Sequence, residues 1–161
     1  MYSAVRLFIS LVVASVATVA AFAAYLYVTV PGRLDGIQIL LAIAWLVCLI
    51  HLVLIGIPVF VFLNRCGGLR WSSVSLAGFL AGALPVGLIG YPSHHDGYSS
   101  GAGWHGRYVE MYRNGAPTQY AWFSHIESSV VWGTLGIVAA VVLWGVWVGL
   151  SSFKASRAPN A

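Results

Sequence analysis

Charge is scarce in this chain. Eight basic and four acidic residues account for 7% of its 161 positions, where an average soluble domain carries roughly 25%. That scarcity excludes an ordinary soluble surface. A formal charge of +4 built from scattered arginines is no nucleic-acid footprint either. Cysteine is nearly missing as well. Cys48 and Cys66 cannot form a disulfide framework, and no CxxC or HExxH spacing occurs.

What fills the chain is apolar: 60% of the residues are hydrophobic. Runs of at least about 18 apolar residues qualify as membrane spans, and four can be read, at 7–30, 37–63, 72–91 and 128–150. They predict an all-α fold, an integral membrane protein with four transmembrane helices in a compact bundle. One sizeable loop is expected at 92–127 and a flexible tail at 151–161. The first run has some marks of a signal peptide, with Arg6 before it and "AFA" at 21–23. Its length exceeds the roughly 7 to 15 residues of a signal core, so a retained helix is expected.

Lys and Arg are retained on the cytoplasmic side of a membrane. With the N-terminus inside, Arg6, Arg65, Arg70, Lys154 and Arg157 lie inside, and Arg33, Arg107 and Arg113 outside. All four acids, Asp35, Asp96, Glu110 and Glu127, then fall outside. Both termini are therefore expected in the cytoplasm and the 92–127 loop outside, in a cell membrane of the bacterial inner-membrane kind. The turn "NRCGGLRW" reads as a cytoplasmic anchor, its two arginines short of the four to eight basic residues that mark a phospholipid site.

Glycine and proline punctuate the spans. The second span, at about 40 Å of helix, is longer than a hydrocarbon core of about 30 Å. Pro58 is expected to bend it by freeing the carbonyl of Leu54. In the third span Gly78 and Gly82 form a GxxxG face on which another backbone can approach. In the fourth, Gly145 and Gly149 repeat the spacing, and Gly136 with Ala140 continues a line of small residues. Packing within the chain is expected of these glycines, with self-association into a homo-oligomer as the alternative. "SHIE" gives Ser124 and Glu127 the capping-box spacing at the start of the fourth helix.

The stretch "YPSHHDGYSSGAGWHGRYVEM" is the polar one, and imidazole with carboxylate suits zinc, copper or nickel. In extended backbone His94 and Asp96 share a side and His95 points away. The candidate metal set is therefore His94, Asp96 and His105, with His125 as a further member. Against it stands the plainer expectation of polar loop histidines with no cofactor. Trp104, Tyr108 and Tyr112 recur every four residues. On a helix they would make one amphipathic face, lying at the interface or presented to a partner.

His51 is the one ionisable side chain besides the Cys48 thiol well inside a span, a position that raises a functional question by default. With no Asp or Glu nearby, a neutral imidazole bonded to a facing carbonyl or hydroxyl is favoured over a proton relay. Four helices with a long outer loop between the third and fourth resemble the quinone-linked disulfide-forming membrane oxidases. That family needs outer cysteine pairs, whereas Cys48 lies in a span and Cys66 in the inner turn, where thiols stay reduced. Small multidrug exporters, also four-helix, need an intramembrane carboxylate that no span here carries. The glycine- and proline-interrupted layout is similar to that of small bacterial inner-membrane proteins, without a shared motif.

The expected function is that of an accessory or regulatory membrane protein. It would bind a membrane-protein partner through its aromatic, histidine-bearing loop, with the lipid bilayer around it and no nucleic acid. A small transporter or channel with His51 lining a path is the second expectation, and a metal-dependent membrane enzyme the third.

Overall fold

A computed structural model describes residues 2–29 and 36–155, with side chains over 4–29 and 36–151. It is mostly helical. The four helices are α1 (Tyr2–Thr29), α2 (Ile37–Arg65), α3 (Trp71–Ile89) and α4 (Gln119–Ala155). Each is long and apolar enough to cross a membrane. Arg33, Asp35 and Arg157, and the side chain of Lys154, lie outside the described residues, as does 156–161 of the expected tail. The tail's first five residues instead continue α4.

Packing centres on α4. It lies against α3 over the greatest extent and also against α1, which in turn touches α2. On α1 the side presented inward is small: Ser10, Ala14 and Thr18, four residues apart, are buried. The two hydroxyls are satisfied by the carbonyls one turn back, Ser10 on Arg6 at 2.9 Å and Thr18 on Ala14 at 2.8 Å. Ser15 is buried as well, and Trp45 of α2 donates its indole N–H to that hydroxyl at 3.1 Å. A core of Ala14, Leu52, Phe60, Ala139 and Leu143 joins α1, α2 and α4.

The glycines of α3 sit where the backbones meet. A Cβ on Gly78 would stand 2.5 Å from the carbonyl oxygen of Gly136 and 2.6 Å from the Cβ of Ala140. One on Gly82 would collide with the carbonyl of Trp132. The contact is with the upper small-residue line of α4. Gly145 and Gly149 have nothing within 4 Å of such a Cβ, so they take no part in this packing.

Within α2 the hydrogen-bond ladder changes ahead of Pro58. Leu52–Gly56 forms one π-turn, and the N–H of Ile57 reaches back five residues to Leu52. The widened turn immediately precedes Pro58, which occupies the opening of the following α-helical stretch, where its missing N–H costs least.

The all-α expectation fails in the 92–127 connection. Ser100–Trp104 (β1), Arg107–Arg113 (β2) and Ala116–Pro117 (β3) form an antiparallel sheet in the order β1-β2-β3. "WHGRYVEMY" is therefore hairpin, and its aromatic residues do not make a helical face. Both turns are two residues long, His105-Gly106 between the pair Trp104 and Arg107, and Asn114-Gly115 between Arg113 and Ala116. All four turn residues have positive φ, at 47°, 75°, 49° and 86°. This is the type I′ geometry whose twist matches that of paired strands.

Helix α4 begins nine residues before the expected 128, and the capping box does not form. Thr118 makes the start instead. Its carbonyl accepts from the N–H groups of Ala121 and Trp122, while its own N–H and hydroxyl bond back to the carbonyls of Met111 and Glu110. Ser124 and Glu127 lie inside the helix, so the Glu127 carboxylate is free for another use.

Candidate functional site

Three groups of functional side chains can be built from these elements. The first is at the tip of the β1-β2 hairpin, which folds back on α4. The carboxylate of Glu127 accepts from the Trp104 indole N–H at 2.8 Å and from Nε2 of His105 at 3.1 Å. The Trp104 ring stacks on Phe123, with centroids 6.2 Å apart and planes at 19°, and meets the edge of Tyr120 at 5.7 Å. The left-handed conformation of His105 is what turns its ring toward Glu127 directly after Trp104. A carboxylate with two donors fixes the hairpin relative to the helix.

The second group braces the other side of the sheet. His95 donates its N–H to the carbonyl of Gly115, and Gly115 in turn donates to that of Tyr98. The β2-β3 turn is thus clasped at its buried residue, Gly115, by the 95–98 segment. The His95 ring lies among those of Tyr98 and Tyr112, at 6.3 and 5.9 Å, with Ser93 at 3.2 Å. Arg113 pairs with Glu110 at 2.5 Å. That contact, first by its hydrogen bonds and then by its charge, holds the Glu110 carboxyl below its ordinary value and the Arg113 guanidinium above its own.

The candidate metal ligands are separated by this arrangement. His94 and Asp96 do share a side, with Nε2 and Oδ1 2.9 Å apart, both exposed. His105 belongs to the Glu127 cluster and His125 packs edge-on to Tyr91 and Trp122. Among the described residues no three His, Cys, Asp or Glu side chains stand where one ion could be held.

The third group surrounds His51. Its Nε2 lies 3.0 Å from the carbonyl oxygen of Ala81 in α3. In an α-helix that carbonyl accepts from the residue four positions on, here Pro85, which has no N–H. The imidazole replaces the missing donor, with a proton on Nε2. Two adjoining cavities share His51, Leu52, Gly82, Gly136 and Ala139 in their walls, with volumes of about 70 and 270 Å³. Thr18, Cys48, Pro85 and Trp132 help to complete the larger one.

No protein-family model, curated protein or solved structure matches the chain. Sequence reasoning singled out His51 but missed its link to Pro85, though a proline four residues after Ala81 was legible. It assigned Glu127 to a cap and so missed the Trp104, His105 and Glu127 cluster, which depends on a non-local fold.

Proposed function

We propose that this chain is a four-span integral membrane protein, with its helices in a compact bundle, that presents the three-stranded sheet outside the cell membrane as a recognition surface for a membrane-protein partner. The observation that carries it is Tyr108. This side chain is 82% exposed on an ordered strand, its ring laid across Gly101 of β1. A rigid, exposed tyrosine on a preorganised hairpin is the kind of anchor that supplies interface energy at small entropic cost. Tyr98, at 51% exposure, and Phe123, also at 51%, extend the aromatic surface.

Support for the membrane setting comes from the helices. Phe8, Ile39, Leu54, Phe62, Leu76 and Leu88 are all more than three-fifths exposed, which suits lipid and not water. The small inward line of α1 supports a retained first helix, since removing it would uncover the core at Leu52 and Leu143. The basic-residue tally supports the N-in, C-in orientation.

The 270 Å³ cavity favours a second function, transport of a small molecule between α2, α3 and α4. Its support is thinner, because the imidazole in its wall spends its donor on Ala81. A metal-dependent enzyme has the least, with His94 and Asp96 apart from His105.

The test is a photoreactive phenylalanine at Tyr108, and separately at Tyr98, irradiated in whole cells. A discrete protein adduct at both positions, absent with the probe at Leu54, is expected. Lipid adducts alone at all three positions would overturn the recognition surface.

A further inference from the structure

Helix α3 packs far more closely against α4 than α2 does against α3. The seam left beside α2 holds the two cavities that meet at His51. Small residues make the room, because Ala81 and Gly82 on α3 and Gly136 and Ala139 on α4 add little beyond backbone to the walls. On α2 the π-turn Leu52–Gly56 borders the same space, and widened turns of this kind recur at functional sites. Size is the first indication of an occupant. The larger cavity, at about 270 Å³, exceeds the roughly 150 Å³ of an apolar cavity that takes up benzene, whereas interiors are otherwise close-packed.

Polarity is the second. Thr18, Cys48, His51 and Trp132 bring side chains with polar atoms to the larger cavity. The smaller, of about 70 Å³, extends between residues 56–63 of α2 and 74–82 of α3, and His51 is its one polar side chain. Among the described residues no Asp, Glu, Lys or Arg lines either cavity. A charged ligand would therefore lose its hydration without gaining a counter-ion. The Thr18 hydroxyl donates to Ala14 and the His51 Nε2 to Ala81. A neutral imidazole so placed offers Nδ1 as an acceptor, the match for a hydroxyl.

We infer that the paired cavities bind an uncharged, lipid-soluble amphiphile, its ring-sized head with one hydroxyl in the chamber beside His51 and its hydrocarbon tail in the narrow extension toward Leu63 and Val74. From His51 to Leu63 is about 18 Å of helix, room for a tail laid along the axis. Binding of this kind needs neither the exposed aromatic surface of the sheet nor net transport. Only delivery of the ligand from the bilayer rests on the membrane-spanning reading.

The experiment is native mass spectrometry and thermal unfolding of the detergent-purified full chain with 4-octylphenol, octylbenzene or 4-octylbenzoate at neutral pH. The phenol is expected to stay bound, one molecule per chain, and to raise the unfolding temperature. Octylbenzene, the same ring and tail without the hydroxyl, should bind about fivefold more weakly, the scale of one hydrogen bond, and the anionic benzoate should not be retained. Val86→Trp fills the chamber from α3 and should lower affinity for the phenol by about tenfold or more. If that variant does not fold, Val47→Trp decides, from an exposed position on the α2 wall. Ala77→Leu intrudes on the narrow extension. It should weaken 4-octylphenol about tenfold, equivalent to some two buried methylenes, and leave 4-methylphenol unaffected. Undiminished affinity in the tryptophan variant, or equal retention of the benzoate, would overturn the site. Octylbenzene bound as tightly as the phenol would overturn the placement of the head, and 4-octylphenol indifferent to Ala77→Leu would overturn that of the tail.

Discussion

The imidazole of His51 and the carbonyl of Ala81 are joined because Pro85 has left that carbonyl without its helical donor. One residue on α2 thereby repairs a defect in α3. A freed carbonyl in an apolar surrounding is costly, and a neighbouring helix is the usual remedy.

A double-mutant cycle tests the repair. His51→Ala should destabilise the chain by about 0.6 to 2 kcal/mol, the range for interhelical hydrogen bonds in membranes. In a Pro85→Ala background the helix recovers its own N–H, and the same substitution should cost clearly less. Equal costs in both backgrounds, read by unfolding in detergent micelles, would show that His51 does not serve Ala81.

Gly82 and Gly149 make a matched pair for packing. Gly82→Ala puts a methyl group against the Trp132 carbonyl and should cost about 1 to 3 kcal/mol, the range for overpacking, whereas Gly149→Ala, with nothing within 4 Å, should be neutral or slightly stabilising. Melting temperatures of the two variants compared with the parent would decide. If Gly149→Ala instead dissociates an oligomer, that glycine packs against a second copy.

The four long helices were legible because crossing a lipid bilayer would demand uninterrupted apolar length, and four runs of that length stand out in so uncharged a chain. The sheet went unread for a different reason. Asn114-Gly115 and His105-Gly106 are turn signals in plain view, but the four-residue recurrence of Trp104, Tyr108 and Tyr112 fits a strand's even positions as well as a helix face. Ser124 and Glu127 had the right spacing for a cap. Only the start made at Thr118, through bonds to β2, moves the helix boundary and releases Glu127 for Trp104. That bond spans 23 residues, and no local pattern announces it.

Within the sheet, Gly115→Ala should loosen the lobe by more than Gly106→Ala. Both replace a glycine of positive φ, a strain of about 1 to 2 kcal/mol. At Gly115 the new Cβ also stands 2.5 Å from the His95 carbonyl, while at Gly106 it meets nothing. Hydrogen exchange at the amides of Gly115 and Thr118 should accelerate in the first variant, with the helical amides unchanged. Similar exchange in both would mean that the 95–98 segment does not clasp the turn.

Acid should loosen the same lobe through Glu110. Arg113 holds the folded carboxyl below its ordinary value, so the unfolded chain takes up protons first as pH falls, and stability is lost. The contribution is whole at neutral pH and disappears as pH falls below the ordinary carboxylate range and through the depressed folded value. Glu110→Gln should flatten this part of the profile, followed by the Thr118 amide resonance from pH 7 to about pH 3. A profile identical to the parent's would assign the acid sensitivity to another group.

The most direct test of a membrane-spanning chain with its sheet outside is thiol labelling in intact cells with a membrane-impermeant reagent. Cys66, exposed in the turn between α2 and α3, is one natural reporter, and a thiol introduced by Gly103→Cys, where a side chain meets nothing within 4 Å, is the other. Cys48 is replaced by Ala in both forms, and Cys66 also in the second. Labelling of the introduced hairpin thiol in intact cells, and of Cys66 only after lysis, is the result this account predicts. Labelling of Cys66 in intact cells with the hairpin thiol protected would contradict it.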